Sequence, residues 1–196
     1  MASSPNLAMQ LCTPRVVLEA VRGTPGVAGG GGGGGGWAGS SHHQTSTAYW
    51  DFFYDLIANP TVASGWGRAC VFDAAGRAAK TAELTGHWAS HGVGMYSLHA
   101  RDGAALGYCR LRVVEEGVEL LYALAPPHWG KGLCTEAAGA VVAAARAAGI
   151  PCLVATTLPG AASAASQVVL GKLGFERTPS RDTTGQPTLW WWGLEL

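Results

Sequence analysis

Apolar residues recur along this chain with two periods, and the switch between them lays out the predicted elements. In Thr47–Ala58 (TAYWDFFYDLIA), Trp50, Phe53, Tyr54 and Ile57 fall at i, i+3, i+4, i+7, the spacing of an amphipathic helix, and Asn59-Pro60 ends it. Gly76–His91 is a second helix candidate, with Ala79, Leu84 and Trp88 as its apolar side. Upstream, Leu11–Ala20 reads as one strand centred on Val16, Val17 and Leu18. Three more strands follow the helices: Met95–Ala100, Ala104–Val114 and Val118–Leu124, with turns at Asp102-Gly103 and Glu115-Glu116-Gly117. A helix over Leu133–Ala148 is closed by Gly149 in the left-handed conformation. Cys152–Thr156 is a short apolar strand, and Ser163–Leu173 a helix ended by Gly174. Phe175–Thr178 and Leu189–Leu196 are the last strands, joined through a polar Thr183-Thr184-Gly185 loop. This order predicts an α/β fold on a mixed sheet, not a doubly wound parallel one.

A length of 196 residues suits one domain, expected over 9–196 after a short tail at 1–8. Of its 29 glycines, 11 lie between Gly23 and Gly39, eight of them consecutive from Gly29. A segment this poor in apolar side chains does not offset its ordering entropy, so 22–46 is expected to be a flexible insertion. It lacks the strand–turn–helix context that a phosphate-cradling glycine run requires. Thirteen basic residues balance thirteen acidic ones, which argues against a nucleic-acid footprint and against a charged disordered chain. No apolar run has the length of a membrane-spanning helix. Five cysteines without a C-x-x-C pair argue against a disulfide framework or zinc cluster. With no secretory signal pattern at Met1–Gln10, a cytoplasmic location is the expectation.

The candidate chemistry sits at Trp129-Gly130-Lys131-Gly132-Leu133-Cys134-Thr135-Glu136-Ala137, between a strand and a long helix. Glycines at 130 and 132 let backbone N–H groups approach a ligand closely. The first amides of the following helix lack internal partners and add the positive end of its dipole. Together they suit a pyrophosphate, with Thr135 and Lys131 adding a hydroxyl and a charge. A plain tight turn at a helix start accounts for the same residues. Neither the G-x-G-x-x-G pattern nor the G-K-[ST] phosphate loop is present.

Four blocks in order carry a family resemblance: Thr13-Pro14-Arg15; Glu119-Leu120-Leu121-Tyr122-Ala123-Leu124-Ala125-Pro126; Trp129 to Ala137; and Ser163-Ala164-Ala165-Ser166 with Leu170 and Lys172-Leu173-Gly174-Phe175. The chain thereby resembles the GNAT superfamily of acetyl-coenzyme A-dependent N-acetyltransferases, and within it the RimJ/RimL-like enzymes. The resemblance implies a mostly antiparallel sheet of about six or seven strands, four flanking helices and a splayed central strand pair. It also implies that Trp129, Gly130, Lys131, Gly132, Leu133, Cys134 and Thr135 hold the coenzyme A pyrophosphate. Strand Val118–Leu124 would part from Cys152–Thr156, commonly with a bulge, and Tyr122, Ala123 and Leu124 would meet pantetheine and thioester through main-chain groups. The acceptor would be a primary amine, on a peptide N-terminus or a small molecule, and no metal is implied.

Departures from the family pattern set the remaining candidates. Ser163 stands where the family usually has an Asn that binds pantetheine or an ordered water, and it offers one shorter donor. No tyrosine lies between Ser163 and Phe175 to protonate the leaving thiolate; Ser166 is the candidate substitute. Glu119 is the candidate base, its alternative being a solvent-facing carboxylate. His128 is a second base candidate, and Glu136 is read as support for the helix start. Glu83, His87 and His91 share a helical face as a weak metal set. Trp190 and Trp192 alternate with Trp191, for core packing or for lining the acceptor cleft. The competing reading of the whole is an acyl-coenzyme A-binding regulatory module without turnover.

Overall fold

The computed structural model describes residues 5, 7–23, 46–178 and 189–196. The expected flexible insertion, beyond its ends at 22–23 and 46, lies outside the described residues, as does the Thr183-Thr184-Gly185 loop. The strands are β1 (Gln10–Cys12), β2 (Val16–Ala20), β3 (Met95–Ala100), β4 (Ala105–Val114), β5 (Gly117–Leu124), β6 (Cys152–Thr157), β7 (Glu176–Thr178) and β8 (Trp190–Glu195). The helices are α1 (Thr47–Ala58), α2 (Pro60–Ala63), α3 (Ala74–His91), α4 (Leu133–Ala147) and α5 (Ala164–Lys172). One eight-stranded sheet runs in the order β1-β2-β3-β4-β5-β6-β8-β7, and only the β5–β6 pair is parallel.

The sheet therefore has more strands than the sequence pattern predicted. The expected strand over Leu11–Ala20 is a tight hairpin, broken at Thr13-Pro14-Arg15 where Thr13 N–H donates to Val16 O at 2.9 Å. Val16 N–H in turn donates to Thr13 Oγ1 at 2.9 Å, so the threonine side chain makes the turn. The expected tail is not all tail either: Leu7 is buried in the core and Ala8 O accepts from Tyr96 Oη at 2.7 Å. A fifth helix, α2, starts directly after α1, with Asn59 as its cap: Asn59 Oδ1 accepts from Thr61 N–H at 2.9 Å.

The two faces of the sheet carry different cores. On one face α4 lies against the sheet through Ala137, Ala138, Val141, Val142 and Ala145, whose small side chains allow close approach. On the other, α1 buries Trp50, Phe53, Tyr54 and Ile57 as its periodicity predicted, together with Leu84 of α3. In α3 the buried stripe is Thr81, Leu84, Thr85 and Trp88, while Ala79 is exposed, contrary to its expected place. The two threonines are tolerated because each hydroxyl is bonded, Thr81 Oγ1 to Tyr54 Oη at 2.9 Å and Thr85 Oγ1 to Thr81 O at 2.9 Å.

The sheet divides where β5 meets β6. β5 keeps eight consecutive partners on β4, from Gly107↔Leu124 to Val114↔Gly117. Toward β6 it has only Val118↔Leu153 and Glu119↔Val154. β6 meanwhile stays paired with β8 over its whole length, from Cys152↔Glu195 to Thr157↔Trp190. Each strand is thus tied on its outer side, and they diverge after two rungs. The expected bulge is absent from β5, whose register with β4 is unbroken; a register shift instead falls between Leu98 and His99 of β3.

Candidate active site

At the C-terminal end of β5 the chain makes a 3-10 turn, Pro126–His128, and then the glycine turn that starts α4. Trp129 lies across this corner. Its indole Nε1 donates to Leu124 O at 2.6 Å, while 45% of the residue stays exposed. Gly130 and Gly132 have φ of 71° and 74°, a backbone region that side chains disfavour. Space is not the constraint, because a Cβ on Gly130 would meet nothing within 4 Å. Gly132 is the N-cap of α4 and has no side chain to satisfy the first-turn amides. Those amides, from Leu133, Cys134 and Thr135, open the helix at an exposed turn and suit an anionic group. The Lys131 side chain is exposed beside them, whereas burial pushes the Cys134 thiol up to about 12, so it stays neutral.

The turn is held from behind by a charged clamp. Glu136 Oε1 accepts from Thr13 Oγ1 at 2.6 Å and from Arg15 N–H at 2.9 Å. Arg15 Nε and Nη2 each reach Glu136 Oε2 at 2.6 Å, and Arg15 Nη1 donates to Lys131 O at 2.8 Å. Burial works to raise the Glu136 carboxyl, but the bonds from Thr13 and Arg15 outweigh it and hold it below the ordinary carboxylate range. Glu136 therefore does more than support the helix start. It joins the first hairpin to the glycine turn, a role visible in the sequence only as the co-occurrence of T-P-R and T-E-A.

A second clamp stands where β5 and β6 part. Glu119 is 4% exposed, on the last paired rung. Its Oε2 accepts from Arg112 Nε at 3.1 Å and from Arg112 Nη2, and its Oε1 accepts from Thr156 Oγ1 at 3.0 Å. The solvent-facing alternative is thereby excluded. The carboxylate ties three strands together, since Arg112 comes from β4 and Thr156 from β6. Trp191 of β8 is the register partner of Thr156 and shares its face of the sheet, next to this division. Trp192 turns the other way, its Nε1 donating to Thr157 Oγ1 at 3.0 Å and its ring packing on the core.

Tyr122, Ala123 and Leu124 all lie on the stretch of β5 that has left β6. Ala123 faces the α1–α2 side, where Leu56 and Val62 pack on it, while Tyr122 and Leu124 face α4 and α5. The Tyr122 phenol reaches α5, with Oη 3.0 Å from Ser166 Oγ and 3.1 Å from Ser166 O. Burial raises the Tyr122 hydroxyl above its ordinary range, only partly offset by the hydrogen bond with Ser166. Ser163 is not in α5 as expected but in the 3-10 turn before it, 2% exposed. Its hydroxyl donates to Leu158 O and accepts from Gln167 Nε2 at 3.0 Å, which leaves no proton for a ligand. In this arrangement the short Ser163 side chain is bonded within its own loop.

The remaining candidates are placed elsewhere. His128 is half-buried in the 3-10 turn at the end of β5. Glu83 is taken by Lys80 at 2.5 Å and Arg110 at 3.0 Å. His87 Nε2 accepts from Val113 N–H at 3.3 Å, and burial, with the nearby Arg110 and His91 charges, lowers its pKa to about 4. Among the described residues no group of His, Cys, Asp and Glu is arranged to hold a metal ion, and no helix is long and apolar enough to cross a membrane.

Residues 44–176 match the family model described as the acetyltransferase (GNAT) domain. No curated protein matches the chain. Among solved structures, an acetyltransferase from Agrobacterium tumefaciens superposes with a TM-score of 0.69 at 19% identity, over 95% of this chain and 94% of that one. The ribosomal-protein-S5-alanine acetyltransferase of Vibrio fischeri gives 0.68 at 11% identity, over 96% and 97%. An aminoglycoside acetyltransferase in complex with coenzyme A gives 0.60 at 18% identity, over 76% and 90%. At these identities the likeness is one of fold.

Proposed function

The chain belongs to the GNAT acetyltransferase family, and from that premise we propose that it moves an acetyl group from acetyl-coenzyme A to a primary amine in a ternary complex. The observation that carries the reading is the parting of β5 from β6 after two rungs, directly beneath a glycine turn that opens a helix. The Tyr122–Leu124 stretch of β5, which has no β6 partner, would pair with pantetheine as an added strand does, through groups other than Leu124 O, which Trp129 Nε1 already holds. The amides from Gly130 to Thr135 would take the pyrophosphate, with Lys131 adding charge and Trp129 forming the corner.

The chemistry needs a neutral amine whose lone pair attacks the thioester carbonyl carbon. The carbon–sulfur bond then breaks and its electron pair leaves on sulfur. A strand N–H facing the carbonyl stabilises the developing oxyanion. Glu119 acts from the division of the strands. With Oε2 held by Arg112, its Oε1 keeps a lone pair beside the Thr156 bond for a water that carries off the amine proton. The block pattern of the sequence favours a RimJ/RimL-like member, with peptide N-termini or small amines as acceptors. Solved relatives of both kinds, a ribosomal-protein and an aminoglycoside acetyltransferase, share the fold.

The test is free-thiol release from acetyl-coenzyme A across a panel of peptides and small amines, paired with calorimetry of coenzyme A binding. Thiol release with at least one amine is expected, and Lys131→Glu should weaken coenzyme A binding about tenfold. Binding without release for any amine would support the regulatory module instead. No binding at all would remove both readings.

A further inference from the structure

We propose that Trp129 is a positioning residue for the pantetheine arm of the coenzyme: its indole N–H occupies Leu124 O, the last β5 carbonyl that faces the gap, so that the arm extends past it to the main-chain groups of Tyr122. The inference rests on the acetyltransferase reading above and names a device within that site. Core packing alone does not explain a tryptophan at this position, because 45% of the residue is exposed. Its N–H, by contrast, makes a bond of 2.6 Å to the end of β5.

Two backbone hydrogen bonds fix which way the β5 main chain faces. In an antiparallel pair, residues that bond the partner strand alternate with residues that point away from it. Ala125 N–H donates to Leu106 O at 2.9 Å, and these two residues continue the register that sets Gly107 opposite Leu124. On the far side of β4, Leu111 N–H donates to Gly94 O at 3.0 Å, so Leu111 faces β3 while Arg110 and Arg112 face β5. Both bonds give the same alternation. Glu119, Leu121 and Ala123 point their main-chain groups at β4, whereas Tyr122 and Leu124 point theirs toward β6. β6 has already parted there, its last rung being Glu119↔Val154.

Of the four main-chain groups at Tyr122 and Leu124, Trp129 therefore closes the one nearest the glycine turn, Leu124 O. What remains open toward the gap is Leu124 N–H, then Tyr122 O, then Tyr122 N–H, in order from the turn toward the rung of Glu119. An unpaired strand edge offers donors and acceptors to any extended chain beside it. Pantetheine carries two amides, each with an N–H that seeks an acceptor. With the pyrophosphate at the glycine turn, an open Leu124 O would be the first acceptor the arm meets. An amide held there folds the arm back by up to two strand residues, about 7 Å, and leaves the thioester short of Glu119. The Trp129 bond removes that competing register.

The experiment compares wild type with Trp129→Phe, which keeps an aromatic ring and loses the N–H. Saturation kinetics are measured with acetyl-coenzyme A and with S-acetyl-pantetheine, using an amine that the thiol-release panel yields, and coenzyme A binding by calorimetry. A second bound register that cannot react lowers kcat and KM by the same factor and leaves kcat/KM unchanged. Trp129→Phe should therefore lower kcat and KM for acetyl-coenzyme A together, each about fivefold, the weight of one net hydrogen bond. kcat/KM should stay within about twofold, and the coenzyme A Kd should be no weaker than wild type. With S-acetyl-pantetheine, which has no pyrophosphate to restrain the arm, the fall in kcat should be larger. A role confined to the shape of the turn gives the opposite pattern: raised KM and Kd for the full coenzyme, kcat retained at saturation, and a smaller effect with S-acetyl-pantetheine. That pattern, or wild-type constants in Trp129→Phe, overturns the proposal. Should Trp129→Phe fail to fold, benzothienylalanine at position 129, which keeps the indole shape and lacks only the N–H donor, carries the same test. If the wild type binds coenzyme A but releases no thiol with any amine, the acetyltransferase reading fails and this inference with it. A wild type that turns over beside an unaffected Trp129→Phe removes this inference alone.

Discussion

Two carboxylates of this protein, Glu119 and Glu136, are each held by one arginine and one threonine, yet they sit at opposite ends of the candidate site. Glu136 is bound by Thr13 and Arg15 from the first hairpin, behind the glycine turn. Glu119 is bound by Arg112 and Thr156 from the strands on either side of it, at the point where the sheet divides. The Glu136 side chain is 16% exposed and pairs with an arginine that is half in solvent; the Glu119 side chain is 5% exposed. The same three residue types thus serve different ends. One clamp ties the first hairpin to the glycine turn that opens α4. The other holds a buried carboxyl at the point where the strands part, between Arg112 and Thr156.

The largest effect should come from Glu119→Gln. The amide keeps a bond to Thr156 but loses the charge, so kcat should fall about a hundredfold or more while the coenzyme A Kd stays unchanged. A wild-type rate in steady-state kinetics would make Glu119 a strand tie and nothing more, and the two clamps would then be alike. Arg15→Ala should do the converse. Calorimetry should show coenzyme A binding about tenfold weaker, and kcat at saturation should be near wild type, because the loss falls on the turn. A kcat defect at saturation would show that the ends of the site are coupled.

The smallest effect is in pH. The Glu136 carboxyl is held below its ordinary range in the folded protein, so its contribution to stability is present above the unfolded value, about 4.3. It is lost only as the pH falls through the lower folded value. The Tm difference between wild type and Glu136→Gln should therefore be flat from about pH 8 to 5 and shrink below about 4. A difference that already shrinks between pH 7 and 5 would mean that some other group titrates in the clamp.

Much of this architecture was legible in the residue pattern because its causes are local. The apolar stripe of α1, the turns at Asp102-Gly103 and Gly117, and the left-handed stop at Gly149, φ 74°, all follow from side chains within a few positions of one another. The glycine turn before α4 was legible for the same reason, since positive φ at residues 130 and 132 is written into residue type. The hairpin at Thr13-Pro14-Arg15 was missed because Val16–Val17–Leu18 dominates the hydrophobic pattern. The break comes from a threonine hydroxyl bonding Val16 N–H, which carries no hydrophobic signal. The inward turn of the Ser163 hydroxyl to Leu158 O likewise carries no signal in the local residue pattern.

By itself, then, the order of residues determined most of the helical and strand segments, where glycine had to stand, and a four-block resemblance to an acetyltransferase family. Tertiary structure alone decided how far β5 and β6 stay paired, which arginine neutralises which carboxylate, and that the Tyr122 phenol would meet Ser166 across 44 positions of sequence. The reason is physical. Backbone preference and periodicity act over a few residues, whereas a strand's divergence and a side chain's partner are set by the packing of elements that the sequence keeps far apart.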